Sequence, residues 1–147
     1  MAGTTSFAMI KPDAVAAGNV GAILAHIQQV GFRIRALRMV RLTQVEAEAF
    51  YAVHRGRPFY EELVGFMCSG RALAMVLEKP NAVAAWRETI GATDPAEAAP
   101  GTIRKLFAES KGRNAVHGSD SDETAAREVA FFFPERELAL LDGASPG

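Results

Sequence analysis

Cysteine is nearly absent. Cys68 stands alone among 147 residues, so no internal disulfide can form and no thiolate-based zinc site can be assembled. An excess of charge of one sign is missing too: 16 Lys and Arg against 17 Asp and Glu leave a net charge of −1. A chain this close to neutral carries no global field that would point to a nucleic-acid or membrane partner, and any anion site must be a local cluster. No apolar run approaches the roughly 20 residues of a membrane span. Met1 to Ala8 lack the basic stretch and apolar segment of an export signal, so the expected location is cytoplasmic. There is no G-x-x-x-x-G-K-[ST] phosphate loop and no grouping of histidines with carboxylates at metal-ligand spacing. Internal repeats, linkers and low-complexity segments are also lacking, apart from a general richness in alanine.

What is present suits one compact domain. The length supports a real hydrophobic core but not two ordinary ones, and 49% of the residues are apolar. Residues 1–141 are expected to form that domain, with 142–147 as a disordered tail. Ser6 to Ile10 form a short apolar run stopped by Lys11-Pro12-Asp13, a first strand. Asn19 caps a helix through Val20, Ile23, Leu24, Ile27 and Val30, which Gly31 closes. Phe32 to Leu42 alternate as a strand whose phase shifts at Leu37, as at a bulge. Thr43 and Glu46 make a capping box for a helix to about Val53, and Pro58 opens another to about Met67. Ala72 to Leu77 are nearly all apolar and suit a central strand. Pro80-Asn81 opens a helix through Val83, Trp86 and Ile90 that ends at Gly91. Gly91 to Gly101 read as an ordered surface loop, a candidate wall or lid. A short helix over Thr102 to Glu109, a last strand over Ala115 to His117, and a helix capped by Asp120 or Ser121 complete the pattern. The order β-α-β-(αα)-β-α-β-α points to an α+β sandwich, with helices on a mostly antiparallel four-stranded sheet.

Asn114-Ala115-Val116-His117-Gly118-Ser119-Asp120-Ser121 places one histidine between small residues at a strand end. An imidazole there is sterically open, can be neutral near pH 7, and can accept a group on one ring nitrogen if the other is held. Taken alone, a histidine beside a strand is more often structural. His26, on the polar side of its helix, and His54, near the end of the next, are assigned no chemistry. Lys11, Arg87 and Arg104 all border loops. Singly each reads as a solvated surface cation, although each could neutralise phosphate oxygens. The helix from Pro58 carries two apolar stripes, Tyr60, Val64, Met67 and Phe59, Leu63, Phe66. One is enough for a core, so the second needs a subunit or a ligand to cover it.

These segments resemble nucleoside diphosphate kinases. The resemblance runs from residue 5 to about 135. It rests on Asn114 to Ser121, on Ala8-Met9-Ile10-Lys11-Pro12-Asp13 and on Pro100-Gly101-Thr102-Ile103-Arg104, with Tyr51, Arg57-Pro58-Phe59 and Thr93-Asp94-Pro95 in matching order. It implies a ferredoxin-like fold and ping-pong transfer of a γ-phosphate from a nucleoside triphosphate, chiefly ATP, to a nucleoside diphosphate. The carrier would be a pros-phosphohistidine at His117. Ser119 and Glu128 would fix the imidazole, and Lys11, Tyr51, Arg87, Thr93 and Arg104 would steady phosphates. Asn114 would meet the ribose, while Phe59 and Leu63 would stack on the base. Mg2+ would enter bound to the nucleotide phosphates, with little or no direct protein ligation. A homo-oligomer is implied, a hexamer or tetramer built from dimers, with the second strand as the dimer edge. Lys111 occupies a position of the base slot that is usually apolar, a departure from the pattern; its aliphatic stem can still cover a base.

Two other classes fit parts of the pattern. Arg33, Arg35, Arg38 and Arg41 along the second strand fit a ferredoxin-like nucleic-acid-binding module, but that strand has no stacking aromatic pair and the net charge is near zero, so no nucleic acid is expected. A histidine phosphocarrier with a protein donor would share His117 but would not label from ATP alone.

Overall fold

The computed structural model describes residues 3–143. Four strands, β1 (Thr5–Ile10), β2 (Arg33–Arg41), β3 (Arg71–Glu78) and β4 (Val116–Gly118), form one sheet in the order β2-β3-β1-β4. Every neighbouring pair is antiparallel. With helices covering the sheet, this is a ferredoxin-like α+β sandwich. β1 and β3 are central, and their burial on both faces explains why they read as unbroken apolar runs.

Alternation along the strands divides the core in two. Phe7, Met9, Ala74 and Val76 face the pair α3 (Gln44–Phe50) and α4 (Tyr60–Met67), together with α7 (Asp122–Phe132) and α8 (Glu135–Asp142). Ala8, Ile10, Leu73, Met75 and Leu77 face α2 (Val20–Gln29), α5 (Ala82–Ile90) and the short α6 (Ile103–Phe107). Because Met9 pairs with His117 across β1 and β4, the imidazole emerges on the α3/α7 face.

The local signals act mostly where expected. Thr43 and Glu46 form the reciprocal capping box of α3, and Ser121 rather than Asp120 caps α7 through the Thr124 N–H. Other boundaries shift. The bulge lies between Ile34 and Ala36, ahead of Leu37, so Arg35 is the extra residue. α3 ends at Phe50 and continues as a 3-10 turn over Ala52–His54, and α4 begins at Tyr60, two residues after Pro58. Two helices went unread. α1 (Pro12–Ala16) starts directly after β1 with Pro12 in its first turn, the position where a missing N–H costs nothing. α8 follows Pro134 and packs along β2 through Arg38–Glu137 and Arg35–Asp142 ion pairs. Asp142 is therefore the last helical residue, while the rest of the expected tail beyond Gly143 lies outside the described residues.

Candidate active site

His117 sits at the middle of β4 with its side chain 16% exposed. Its Nε2 lies 3.0 Å from Glu128 Oε1, and the Ser119 hydroxyl donates to the same oxygen at 2.7 Å. Glu128 is buried on α7. Burial pushes its carboxyl up, but the hydrogen bonds from His117 and Ser119 and the nearby Arg127 guanidinium outweigh that and hold it below its ordinary value. An ionised carboxylate only accepts, so Nε2 carries the ring proton and Nδ1 is left with a free lone pair. The edges of Phe7, Phe50 and Tyr51 wall the ring at centroid distances of 5.9, 5.4 and 6.0 Å.

The backbone around the histidine is held just as closely. The Trp86 indole N–H donates to the His117 carbonyl at 3.1 Å, and Gly118 lets the indole come this near. A Cβ on Gly118 would lie 2.8 Å from Trp86 Cδ1, inside van der Waals contact. Gly118→Ala is expected to destabilise the protein by roughly 1–3 kcal/mol, the range for overpacking a well-filled core, as read from urea unfolding. An alanine variant as stable as the parent would show that the indole yields without cost.

Three cations touch the segment that carries His117. Lys11, at the end of β1, is 8% exposed and donates from Nζ to Asn114 Oδ1 at 2.8 Å. Burial, reinforced by Arg104 and opposed by Asp13, lowers its pKa to about 8. Arg104, 9% exposed on α6, donates to the carbonyls of Gly91, Asn114 and Val116; burial and then Arg87 lower its pKa to about 10. Among the described residues neither forms an ion pair. Arg87 is half-exposed and bonds Asp120 at 3.0 Å. Crowded, buried cations in no direct ion pair are unfavourable in an empty protein, and they are what a polyanion requires.

The remaining expected residues fall around this cluster. Asn114 is buried, and its amide nitrogen reaches the Thr93 carbonyl at 3.4 Å, tying β4 to the loop after Gly91. Thr93 itself is exposed. Tyr51 is buried at the end of α3 with its hydroxyl unpartnered, and burial followed by Glu128 raises its pKa. From Tyr51 a line of rings leads outward: His54 stacks on it at 6.3 Å, and Phe59 tilts against His54 at 5.3 Å. Phe59 is 48% exposed, Leu63 is half-buried, and Val64 and Met67 form the core stripe of α4. Lys111 is exposed. Among the described residues no hydrogen bond, ion pair or ring contact joins Phe59, Leu63 or Lys111 to the histidine. Sequence reasoning missed Trp86, Phe7, Phe50 and Asp13, whose carboxylate accepts the Ala115 N–H at 3.0 Å. The position of Asp13 beside Lys11 and of Trp86 beside Arg87 was the available signal. The basic strand takes a different role from the one a nucleic-acid module would need: Arg33, Arg35 and Arg38 are ion-paired to Glu78, Asp142 and Glu137.

The chain is similar in sequence and fold to known nucleoside diphosphate kinases. The chain is 58% identical over 130 residues to a nucleoside diphosphate kinase of Chlorobium chlorochromatii, covering 88% of this chain and 93% of that one. A crystal structure of the Aquifex aeolicus nucleoside diphosphate kinase superposes with a TM-score of 0.91 at 47% identity, covering 94% of this chain and all of that one. That of the Halobacterium salinarum enzyme in complex with CDP gives 0.88 at 37%, covering 93% and 91%. Since the nucleoside diphosphate kinase family model also matches residues 4–138, the chain belongs to the nucleoside diphosphate kinase family.

Proposed function

We propose that the protein transfers the γ-phosphate of a nucleoside triphosphate to a nucleoside diphosphate in two half-reactions through His117. The observation that carries this reading is the imidazole bound at Nε2 by an ionised Glu128, on a segment held by the buried cations Lys11 and Arg104, neither of them in a direct ion pair among the described residues. In the first half-reaction Nδ1 attacks the γ-phosphorus in line as the bond to the bridging oxygen breaks, and the nucleoside diphosphate leaves. In the second, the terminal phosphate oxygen of another diphosphate attacks the phosphohistidine and Nδ1 regains its lone pair. Phosphoryl transfer demands mainly positioning and neutralisation of the charge on the moving oxygens. Lys11, Arg87 and Arg104 supply the positive charge, and Tyr51 and Thr93 add hydroxyl donors. Glu128 offsets the positive charge that develops on the ring, as a carboxylate does for a reacting histidine, and Ser119 fixes that carboxylate. Asn114 meets the ribose hydroxyl, and the base lies on Phe59 and Leu63, a face that every base can share.

Among the described residues no group of three or more His, Cys, Asp and Glu side chains is placed to hold a metal. The site is cationic, so Mg2+ fits as part of a magnesium–nucleotide substrate, its ligands being phosphate oxygens. ATP is assigned as the main donor. The sheet edge β2 exposes Leu37 and Met39, 50% and 47% exposed. An edge strand with apolar residues outward invites pairing with a second copy, which supports a dimer through β2 and, on the family pattern, a tetramer or hexamer of dimers. No described helix is long and apolar enough to cross a membrane, and a cytoplasmic location is part of this proposal, as is one folded domain over residues 1–141.

The test is a two-step label transfer. Protein mixed with magnesium and γ-labelled ATP alone should release ADP and keep the label, and GDP added to the isolated protein should remove the label as GTP. Label that needs a second protein as donor would favour a phosphocarrier. Within this scheme Glu128→Ala should lower the turnover number about 10²–10³-fold, the scale of losing one preorganised electrostatic partner, with ADP affinity nearly unchanged. Turnover and calorimetric binding check this; a loss confined to binding would contradict the role.

A further inference from the structure

The backbone leading into His117 adopts a conformation that alanine disfavours. Ala115 has a φ of +71°, where an L side chain crowds its own backbone. The Val116 N–H donates to the Asn114 carbonyl at 2.8 Å, closing a three-residue γ-turn of the strained, positive-φ kind. Such geometry persists only where its surroundings over-determine it. Lys11 N–H holds the Ala115 carbonyl at 2.8 Å, and Arg104 holds the carbonyls of Asn114 and Val116. The Ala115 N–H is taken by Asp13 Oδ2 at 3.0 Å, across 102 residues of chain. Asp13 is 4% exposed, and its other carboxylate oxygen is buried without a hydrogen-bond partner. A carboxylate buried and half satisfied is a poor source of stability, and nothing in the phosphoryl-transfer scheme yet uses it.

We propose that Asp13 is a positioning residue for phosphoryl transfer: by holding the Ala115 N–H it maintains the left-handed turn that starts β4 and so aims His117. β4 has three residues, and its register with β1 sets which face each side chain takes. A slip of one residue would turn the imidazole away from Glu128. If Ala115 relaxed to negative φ, the turn would open, moving His117 against Glu128 and carrying Asn114 off the Lys11 ammonium. Asp13 does this from the first turn of α1, whose N-cap, Lys11, directly follows β1. One short segment thus places both a phosphate cation and, through the turn, the nucleophile.

The inference rests on His117 being the nucleophile, so wild type and His117→Gln are run alongside. Single-turnover phosphorylation by magnesium–ATP is measured well below the unfolding temperature, with ADP affinity by calorimetry and folding by circular dichroism. Asp13→Ala should phosphorylate about 100-fold more slowly, the scale of an ångström-sized misplacement of a reacting group, with ADP affinity within about threefold of wild type. Asp13→Asn, whose amide oxygen still accepts from Ala115, should recover to within about fivefold of wild type. If Asp13→Ala does not fold, the double variant Asp13→Ala/Ala115→Gly replaces it, because glycine enters positive φ freely; it should label faster than Asp13→Ala, or at a measurable rate where that variant is unfolded. A folded Asp13→Ala that labels at the wild-type rate overturns the inference, as does a folded Asp13→Asn as slow as Asp13→Ala, which would assign the effect to charge. Absence of labelling in wild type would instead overturn the reading of His117.

Discussion

His117→Gln is expected to fold as the parent does, bind ADP with similar affinity and lose phosphotransfer by at least about 10⁴-fold, the scale of removing a nucleophile that works as one unit with its partners. Glutamine reaches toward Glu128 with an N–H, so the buried carboxylate keeps a donor and the fold keeps its packing. What disappears is the Nδ1 lone pair. No other side chain described near the cations replaces it: Ser119 is 1% exposed and bonded to Glu128, and Tyr51, also buried, is pushed further from ionisation by burial and by Glu128. Initial rates with ATP and a second diphosphate, beside thermal unfolding and ADP binding, check the expectation. A stable variant retaining a tenth of the activity would move the phosphate carrier elsewhere.

Lys11→Met should separate stability from function in opposite directions. The ammonium ordinarily titrates at 10.5 and here at about 8, so between those values the unfolded chain binds more protons than the folded one. Stability therefore rises with pH across that window, and below about pH 8 the folded protein carries the whole cost of the buried cation. A fall from 10.5 to about 8 corresponds to about 3 kcal/mol, an upper bound on what methionine can recover, since the bond to Asn114 is lost as well. Activity should move the other way. Losing a preorganised cation at the moving phosphate is worth roughly 10²–10³-fold in kcat/KM, and the wild-type fall in kcat/KM above about pH 8 should be absent from the variant. Urea unfolding at pH 7 and a pH–rate profile test both parts. A variant that is less stable and fully active would show that the lysine is structural.

Why some of this was readable from the chain and some was not follows from distance along it. Ser119 and Glu128, two and eleven residues from His117, were named through the family resemblance, which a segment this short carries whole; spacing alone would have left Glu128 an ordinary helix residue. The four strands were legible because period-two patterning and an unbroken apolar run reflect burial directly. α8 was not, because it places only Leu138 in the core, too little for an apolar stripe, and its ion-pair partners Arg35 and Arg38 lie roughly a hundred residues earlier. α1 was hidden because Pro12 ends a strand as readily as it begins a helix. Asp13 and Trp86 could not be placed, since their partners lie 102 and 31 residues away. The phase shift read at Leu37 belonged to Arg35, because a bulge is defined by the partner strand, which a single chain does not show. The stacking role of Phe59 and Leu63 is a proposal implied by the family resemblance, to which the second apolar stripe, needing cover of some kind, adds support. The exposure of Phe59 fits it, whereas Val64 and Met67 alone would have sufficed for the core.

The most direct test of the account is the chemical identity of the phosphoenzyme. With Nε2 held 3.0 Å from Glu128, the phosphate must reside on Nδ1, so phosphorus NMR of protein mixed with magnesium–ATP should show a single pros-phosphohistidine resonance. The bond should be acid-labile and base-stable, the resonance should be absent in His117→Gln, and it should be lost when a nucleoside diphosphate is added. A phosphate on Nε2, or equal labelling of the His117→Gln protein, would contradict the assignment of His117 and the role of Glu128 together.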